Sequence, residues 1–326
     1  MKELLEILSY KRGYSTDSEL LFINYWLIPR LSKFNPVVDE VGNIIVRNST
    51  TTNVLWSCHT DSVHHKVGRQ NVRWDEHVLR LDNGKPGDCL GADDGAGIWL
   101  SLQMLEAGVP GLYIFHRGEE VGCVGANHIV KTTPELVEGI TCAIAFDRKG
   151  TTNIITEQMG RVTASDEFAA SLALHLNKHS HLDYSADPTG VYTDTEVYAE
   201  LIPECTNLSV GYYDQHGLRE TQDTRHLRRL RDQLLTIDEK SLVVARDPTD
   251  FGYNWGYLPK SKKNNDPLLG FDFDKDGNWG DIPNVMTGDK VDQYLVDLVS
   301  DYPEIAAVLL ESKGVDYFEF QRLVLQ

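Results

Sequence analysis

Apolar positions recur at helical spacing over residues 16–34, behind Ser15, Thr16 and Asp17 as candidate caps. Residues 37–48 read as two short strands about a turn at Gly42-Asn43. From there the chain alternates. Residues 53–58, 111–116, 140–146 and 205–212 are nearly continuous apolar runs, the pattern of strands buried on both faces. Helical patterns lie between and after them, at 97–108, at 165–179 with Ser165 as cap, and at 223–238. Buried strands alternating with amphipathic helices predict an α/β fold in three layers, a mostly parallel or mixed central sheet with helices on both faces. In such sheets ligands bind at the carboxyl ends of the strands.

The pattern changes after residue 240. Residues 247–289 are rich in Gly, Pro, Asn, Asp and aromatics with little periodicity, and two short helical patterns come after them, near 289–300 and 303–313. The expected organisation is one main domain over 1–240 and an irregular C-terminal extension or small accessory module over 241–326. No internal repeat or low-complexity segment is found.

Composition narrows the function classes. The chain has 326 residues, with 31 Lys plus Arg against 49 Asp plus Glu, a formal charge of -18. Such a surface repels phosphate backbones and anionic lipid, so nucleic acid is not an expected partner. No run of apolar residues is long enough to span a bilayer, and the N-terminal MKELLEILSYKRG lacks the apolar core and cleavage site of a signal peptide. A cytoplasmic protein is expected. The five cysteines (Cys58, Cys89, Cys123, Cys142, Cys205) include no C-x-x-C pair. They read as buried, reduced thiols; a thiol nucleophile or thiolate ligand is the alternative.

The residues just past each strand carry the chemistry. Residues 53–58 run into His59-Thr60-Asp61, residues 111–116 into Arg117-Gly118-Glu119-Glu120, and residues 140–146 into Asp147. Residues 205–212 run into Tyr213-Asp214-Gln215-His216, and Asp93-Asp94 precedes the helix at 97. Singly, these are a polar pair, a charge pair or a helix cap. Together they place His or carboxylate groups along one sheet edge. Two imidazoles among several carboxylates call for a cation, and zinc accepts both donor types. Five ligands exceed one tetrahedral catalytic site and suit two ions sharing a bridging carboxylate.

The series HTD, GADDGAG, RGEEVGCVGA, FD and YYDQHGLRE over roughly 53–235 resembles the dinuclear zinc peptidases. That group includes peptidase T, the carboxypeptidase G type enzymes and the bacterial leucyl aminopeptidases. The resemblance implies a zinc-peptidase or phosphorylase/hydrolase-like sheet and two Zn2+ per chain. His59 and Asp147 would hold one ion, Glu120 and His216 the other, and Asp93 would bridge them. Glu119 would be the general base, taking a proton from an attacking water and passing it to the leaving amine. Asp61 would accept a hydrogen bond from the second ring nitrogen of His59. The Asp93-Asp94 peptide would be cis, with Asp94 behind the ligands. Thr193-Asp194, ahead of Ile202-Pro203, looks like a family segment that sets Asp194 near the site; a solvated loop is the other reading. Many relatives insert a lid or dimerisation domain between the Asp147 and His216 equivalents. Residues 148–215 are too few for one, which leaves substrate closure and oligomeric state open.

The implied substrate is a peptide or an N-acyl amino acid. Asp at position 147 is the aminopeptidase and dipeptidase type of ligand, where carboxypeptidases and deacylases tend to have Glu. An aminopeptidase or small-peptide peptidase is therefore expected. A deacylase or carboxypeptidase on the same zinc pair, or a non-catalytic module retaining the fold, are the alternatives. Two further features weigh less. His64-His65 read as a loop pair, with substrate contact as the alternative. DFDKDGNWGD (272–281) resembles the start of a calcium loop with ligands at Asp272, Asp274 and Asp276, but Pro283 stands where such a loop needs its last Glu.

Overall fold

The computed structural model describes residues 1–249 except His179. These lie in one compact unit, Met1–Trp255; a second unit, Gly256–Gln326, falls outside the described residues. So do the helical patterns near 289–300 and 303–313 and the calcium-loop candidates Asp272, Asp274 and Asp276.

The expected α/β sheet is present. Eight strands run in the order Val37–Val38, Ile44–Arg47, Leu112–His116, Val54–His59, Cys142–Arg148, Glu204–Ser209, Asn153–Ile155, Ser185–Asp187. Leu112–His116, Val54–His59, Cys142–Arg148 and Glu204–Ser209 are mutually parallel. The first two strands of the order add antiparallel, so the sheet is mixed. All six residues of Val54–His59 and all five of Leu112–His116 are buried. Alternate side chains supply two cores. Trp56, Cys58, Tyr113, Phe115, Ile144 and Phe146 join one, while Leu55, Leu112, Ile114, Ala143 and Cys205 join the other. That two-sided burial is why these strands read as unbroken apolar runs.

Helices Ala92–Ala107, Lys2–Leu8, Asp166–Leu176 and Thr224–Leu234 gather over the first core, and Val124–Thr132 with Asp194–Val197 over the second. Thr224–Leu234 is tied down by Leu227, Leu230 and Leu234, all fully buried, and capped by Asp223, whose carboxylate accepts the N–H of Arg225 and His226. Leu230→Ala is expected to cost about 2–5 kcal/mol, read from the denaturant midpoint.

Three elements differ from the sequence pattern. The helix expected at 97–108 begins at Ala92, with non-helical φ/ψ at Asp93 and Asp94. Apolar periodicity could not show this, because the first turn is built of Asp and Gly. The run at 205–212 breaks at Ser209, and Tyr212–Tyr213 leaves to join a second sheet. That sheet has the order Tyr212–Tyr213, Thr221–Asp223, Val78–Leu81, Val72–Asp75. The N-terminal MKELLEIL is a helix with Leu4, Ile7 and Leu8 buried. Among the described residues no helix is long and apolar enough to cross a membrane. The five thiols are buried and free.

Candidate metal centre

Register brings the ligands level. Ser57 pairs with Ala145 and His59 with His116 across parallel strands. Two residues past the first pair, His59 and Asp147 stand side by side at the sheet's carboxyl edge. His59 Nε2 lies 3.0 Å from Asp93 Oδ1 and 3.6 Å from Asp147 Oδ1. The hairpin Tyr212–Tyr213/Thr221–Asp223 delivers His216, whose Nε2 is 3.1 Å from Asp93 Oδ2 and 3.2 Å from Glu120 Oε2. Two donor groups result, His59/Asp93/Asp147 and Asp93/Glu120/His216, each with its ligand atoms within 4.8 Å of one another. Asp93 is in both, one oxygen turned to each. His216 is the most open member, its side chain 40% exposed.

The groups behind the ligands explain how they are held. Asp61 is fully buried and accepts three backbone N–H bonds, from Gly118 at 2.9 Å and from Glu119 and Glu120 at 3.2 Å. It therefore shapes the turn that presents Glu119 and Glu120. Its carboxylate is also 3.6 Å from His59 Nδ1, so it stands behind that imidazole as well as holding the loop. Asp94 accepts the N–H of His59 at 3.0 Å and of Gly97 at 2.8 Å, and the Asp93-Asp94 peptide is cis. Asp147 accepts from Thr193 Oγ1 at 2.7 Å and Tyr212 Oη at 3.1 Å. Asp194 is buried, 3.5 Å from His116 Nδ1, one residue from the Thr193 that serves Asp147.

Carboxylates and imidazoles are crowded together here, away from water. Burial, then the charges of Asp147, Glu120 and Asp194, raise Glu119 well above the usual carboxylate range, against the pull of His59. Burial with Asp93 nearby pushes Glu120 up to about 7, opposed by His216. Burial would lower His59 and His216, but their carboxylate neighbours outweigh it and raise both imidazoles. Glu120 Oε1 is buried without a hydrogen-bond partner. A divalent cation in each donor group would replace the missing positive charge and use that oxygen, so the residues fit two zinc ions.

Other sequence candidates are placed differently. His64 is structural: its Nδ1 accepts the N–H of Arg12 at 3.1 Å, its Nε2 lies 3.1 Å from the Cys89 carbonyl, and burial lowers it to about 3. His65 is exposed. Arg246, a cation of the kind that could meet a substrate carboxylate, donates to the carbonyls of Pro203, Ala199 and Ile202. Sequence reasoning gave no role of their own to Thr193, Tyr212, Arg12 and Glu220. The last stands inside the YYDQHGLRE motif, four residues after His216, and that proximity was its signal.

The sheet is parallel at its centre, and His and carboxylate groups gather at its carboxyl edge, where sheets of this kind bind their ligands. Residues 41–201 match the model of Peptidase family M28, so the resemblance seen in the motifs stands and the protein is a peptidase. A family of this kind generally binds zinc. Aminopeptidase PepT from Bacillus cereus has the same fold, with a TM-score of 0.60 at 14% identity, covering 74% of this chain and 97% of that one. A tripeptidase from Staphylococcus aureus gives 0.60 at 15%, covering 74% and 97%. The TET1 peptidase of Pyrococcus horikoshii gives 0.52 at 16%, covering 73% and 99%; it assembles into a tetrahedron or a large octahedral shell. At these identities the likeness is one of fold. No curated protein sequence matches the chain.

Proposed function

We propose that the protein is a dinuclear zinc-dependent aminopeptidase or small-peptide peptidase. One observation carries this reading: Asp93 turns one carboxylate oxygen to each of two three-residue donor groups. His59, Asp93 and Asp147 would hold one ion, and Asp93, Glu120 and His216 the other. Zinc, when bound, acidifies a water and polarises the scissile carbonyl.

The chain's own residues do the rest. Glu119 stands outside both donor groups, beside them in sequence and space, on a turn fixed through its backbone by Asp61. Its side chain, whose Oε1 accepts the Cys123 thiol at 3.8 Å, belongs to neither donor group and would take a proton from the attacking water and deliver it to the leaving amine. Tyr212 and Thr193 both donate to Asp147, which fixes the carboxylate next to His59.

Asp147 and the spent Arg246 guanidinium support a site that reads the amino end of its substrate. A terminal carboxylate needs a cation such as Arg; Lys260 and Lys262 lie outside the described residues. The expected result is cleavage of unblocked peptides from the N-terminus and little activity once the amine is acetylated. Rates on one peptide in free and acetylated form decide it, and faster cleavage of the acetylated form would transfer the assignment to a deacylase or carboxypeptidase. Most of residues 148–215 enters the main sheet and its covering helices, with the short pair Glu157–Gln158/Arg161–Val162 and the strand Tyr212–Tyr213 outside it, which supports the reading that no lid domain is inserted in this stretch. The buried free thiols support a reducing compartment, the cytoplasm.

A further inference from the structure

The segment that carries the shared ligand is gripped by two charged side chains that the mechanism leaves unused. Glu220, 1% exposed, accepts three successive backbone N–H groups: Gly91 at 2.9 Å, Ala92 at 2.7 Å and Asp93 at 3.1 Å. These are orphan donors at the start of Ala92–Ala107, where a negative charge is favoured. From the other side Arg12, fully buried, donates Nη2–H to the Gly91 carbonyl at 2.8 Å. The same guanidinium donates to Thr60 O at 3.0 Å and Ile7 O at 3.2 Å. Gly91 has φ +71, and a Cβ there would come within 2.8 Å of His64 Cε1, so the segment has one conformation and little room to relax.

The connections give this grip a direction. Glu220 lies on the hairpin connection that delivers His216, and its three bonds fix the main chain of Asp93. One carboxylate thus ties the His216 loop to the Asp93 segment. Arg12 ties that segment to Thr60, the neighbour of His59. All the ligands except Glu120 and Asp147 are linked by two buried charges.

We propose that Glu220 is a positioning residue for the metal centre, setting Asp93 and the His216 loop in register, with Arg12 fixing the same segment to the strand end that bears His59. The proposal rests on the two-ion reading given above. It requires a carboxylate. Two anionic oxygens accept three N–H bonds, whereas a Gln would turn an NH2 group towards donors it cannot satisfy.

The test uses the full chain as wild type, Glu220→Gln and Glu220→Asp. Zinc affinity is measured by competition with a chelator, with kcat and KM at limiting and saturating zinc and circular dichroism to show folding. Glu220→Gln is expected to weaken binding of one ion by about 10–100-fold, the effect of losing a partner behind a ligand. Its kcat should fall at limiting zinc and recover at saturation with KM little changed, which a general loss of structure would not produce. Glu220→Asp, charged but shorter, should fall between. A folded Glu220→Gln with wild-type affinity for both ions overturns the proposal and leaves the metal centre standing. If Glu220→Gln does not fold, the Asp variant decides, and wild-type affinity there overturns it equally. If the wild type itself binds no zinc, the metal centre is wrong and the positioning role falls with it.

Discussion

Glu119→Gln is expected to keep its metal ions and to turn over about 10²–10⁴-fold more slowly. Glu119 belongs to neither donor group, so removing its charge takes no ligand away. The turn that carries it is held through the N–H groups of residues 118–120 on Asp61, and these survive the substitution. Gln has nearly the same shape and cannot accept the proton. Metal analysis and steady-state rates on one unblocked peptide check both halves of the expectation. Near-normal turnover with both ions in place would remove Glu119 from the reaction.

Asp93→Ala is expected to abolish tight binding of both ions, where loss of any other single ligand removes one more readily than two. The wild type should hold about two zinc equivalents per chain. His59→Ala should drop to about one, because only the His59/Asp93/Asp147 group is broken. In Asp93→Ala both groups are reduced to two residues each, and the remaining Glu120, Asp147 and imidazoles have no shared oxygen to balance. The fall in activity should exceed the ~100-fold upper range for disturbing a mere ligand partner. Metal content per chain after dialysis, measured for the three proteins together, is the check. An Asp93→Ala protein that retained two equivalents would disprove the bridging role.

Much of this architecture was legible in the chain. Continuous apolar runs at 53–58, 111–116 and 140–146 predicted strands buried on both faces, and these strands supply both cores. Each carries its polar residue just past the apolar run, as His59 and Asp147 do. A strand that must be apolar on both sides can place chemistry only past its end, so sequence order alone pointed to one sheet edge. The candidates His59, Asp93, Glu120, Asp147 and His216 do converge there. Residues 61–90 showed less. Val72–Asp75 and Val78–Leu81 are short and half-exposed, with too few apolar positions to declare their sheet. Yet they support the hairpin that positions His216.

The sequence by itself determined the layers, the strand-end chemistry and the identity of the candidate ligands, because those follow from local periodicity and residue type. The tertiary structure decided how the ligands are divided and held. Asp61 stands 3.6 Å behind His59 Nδ1, and its buried carboxylate also meets the N–H groups of residues 118–120, since the parallel neighbour strand ends there. Arg12 and Glu220 stand 79 and 129 positions from the Gly91 they grip. No local pattern marks such a pair. A charged side chain looks the same in sequence whether it faces water or three backbone dipoles, and only the packing of distant segments removes the water and makes the difference.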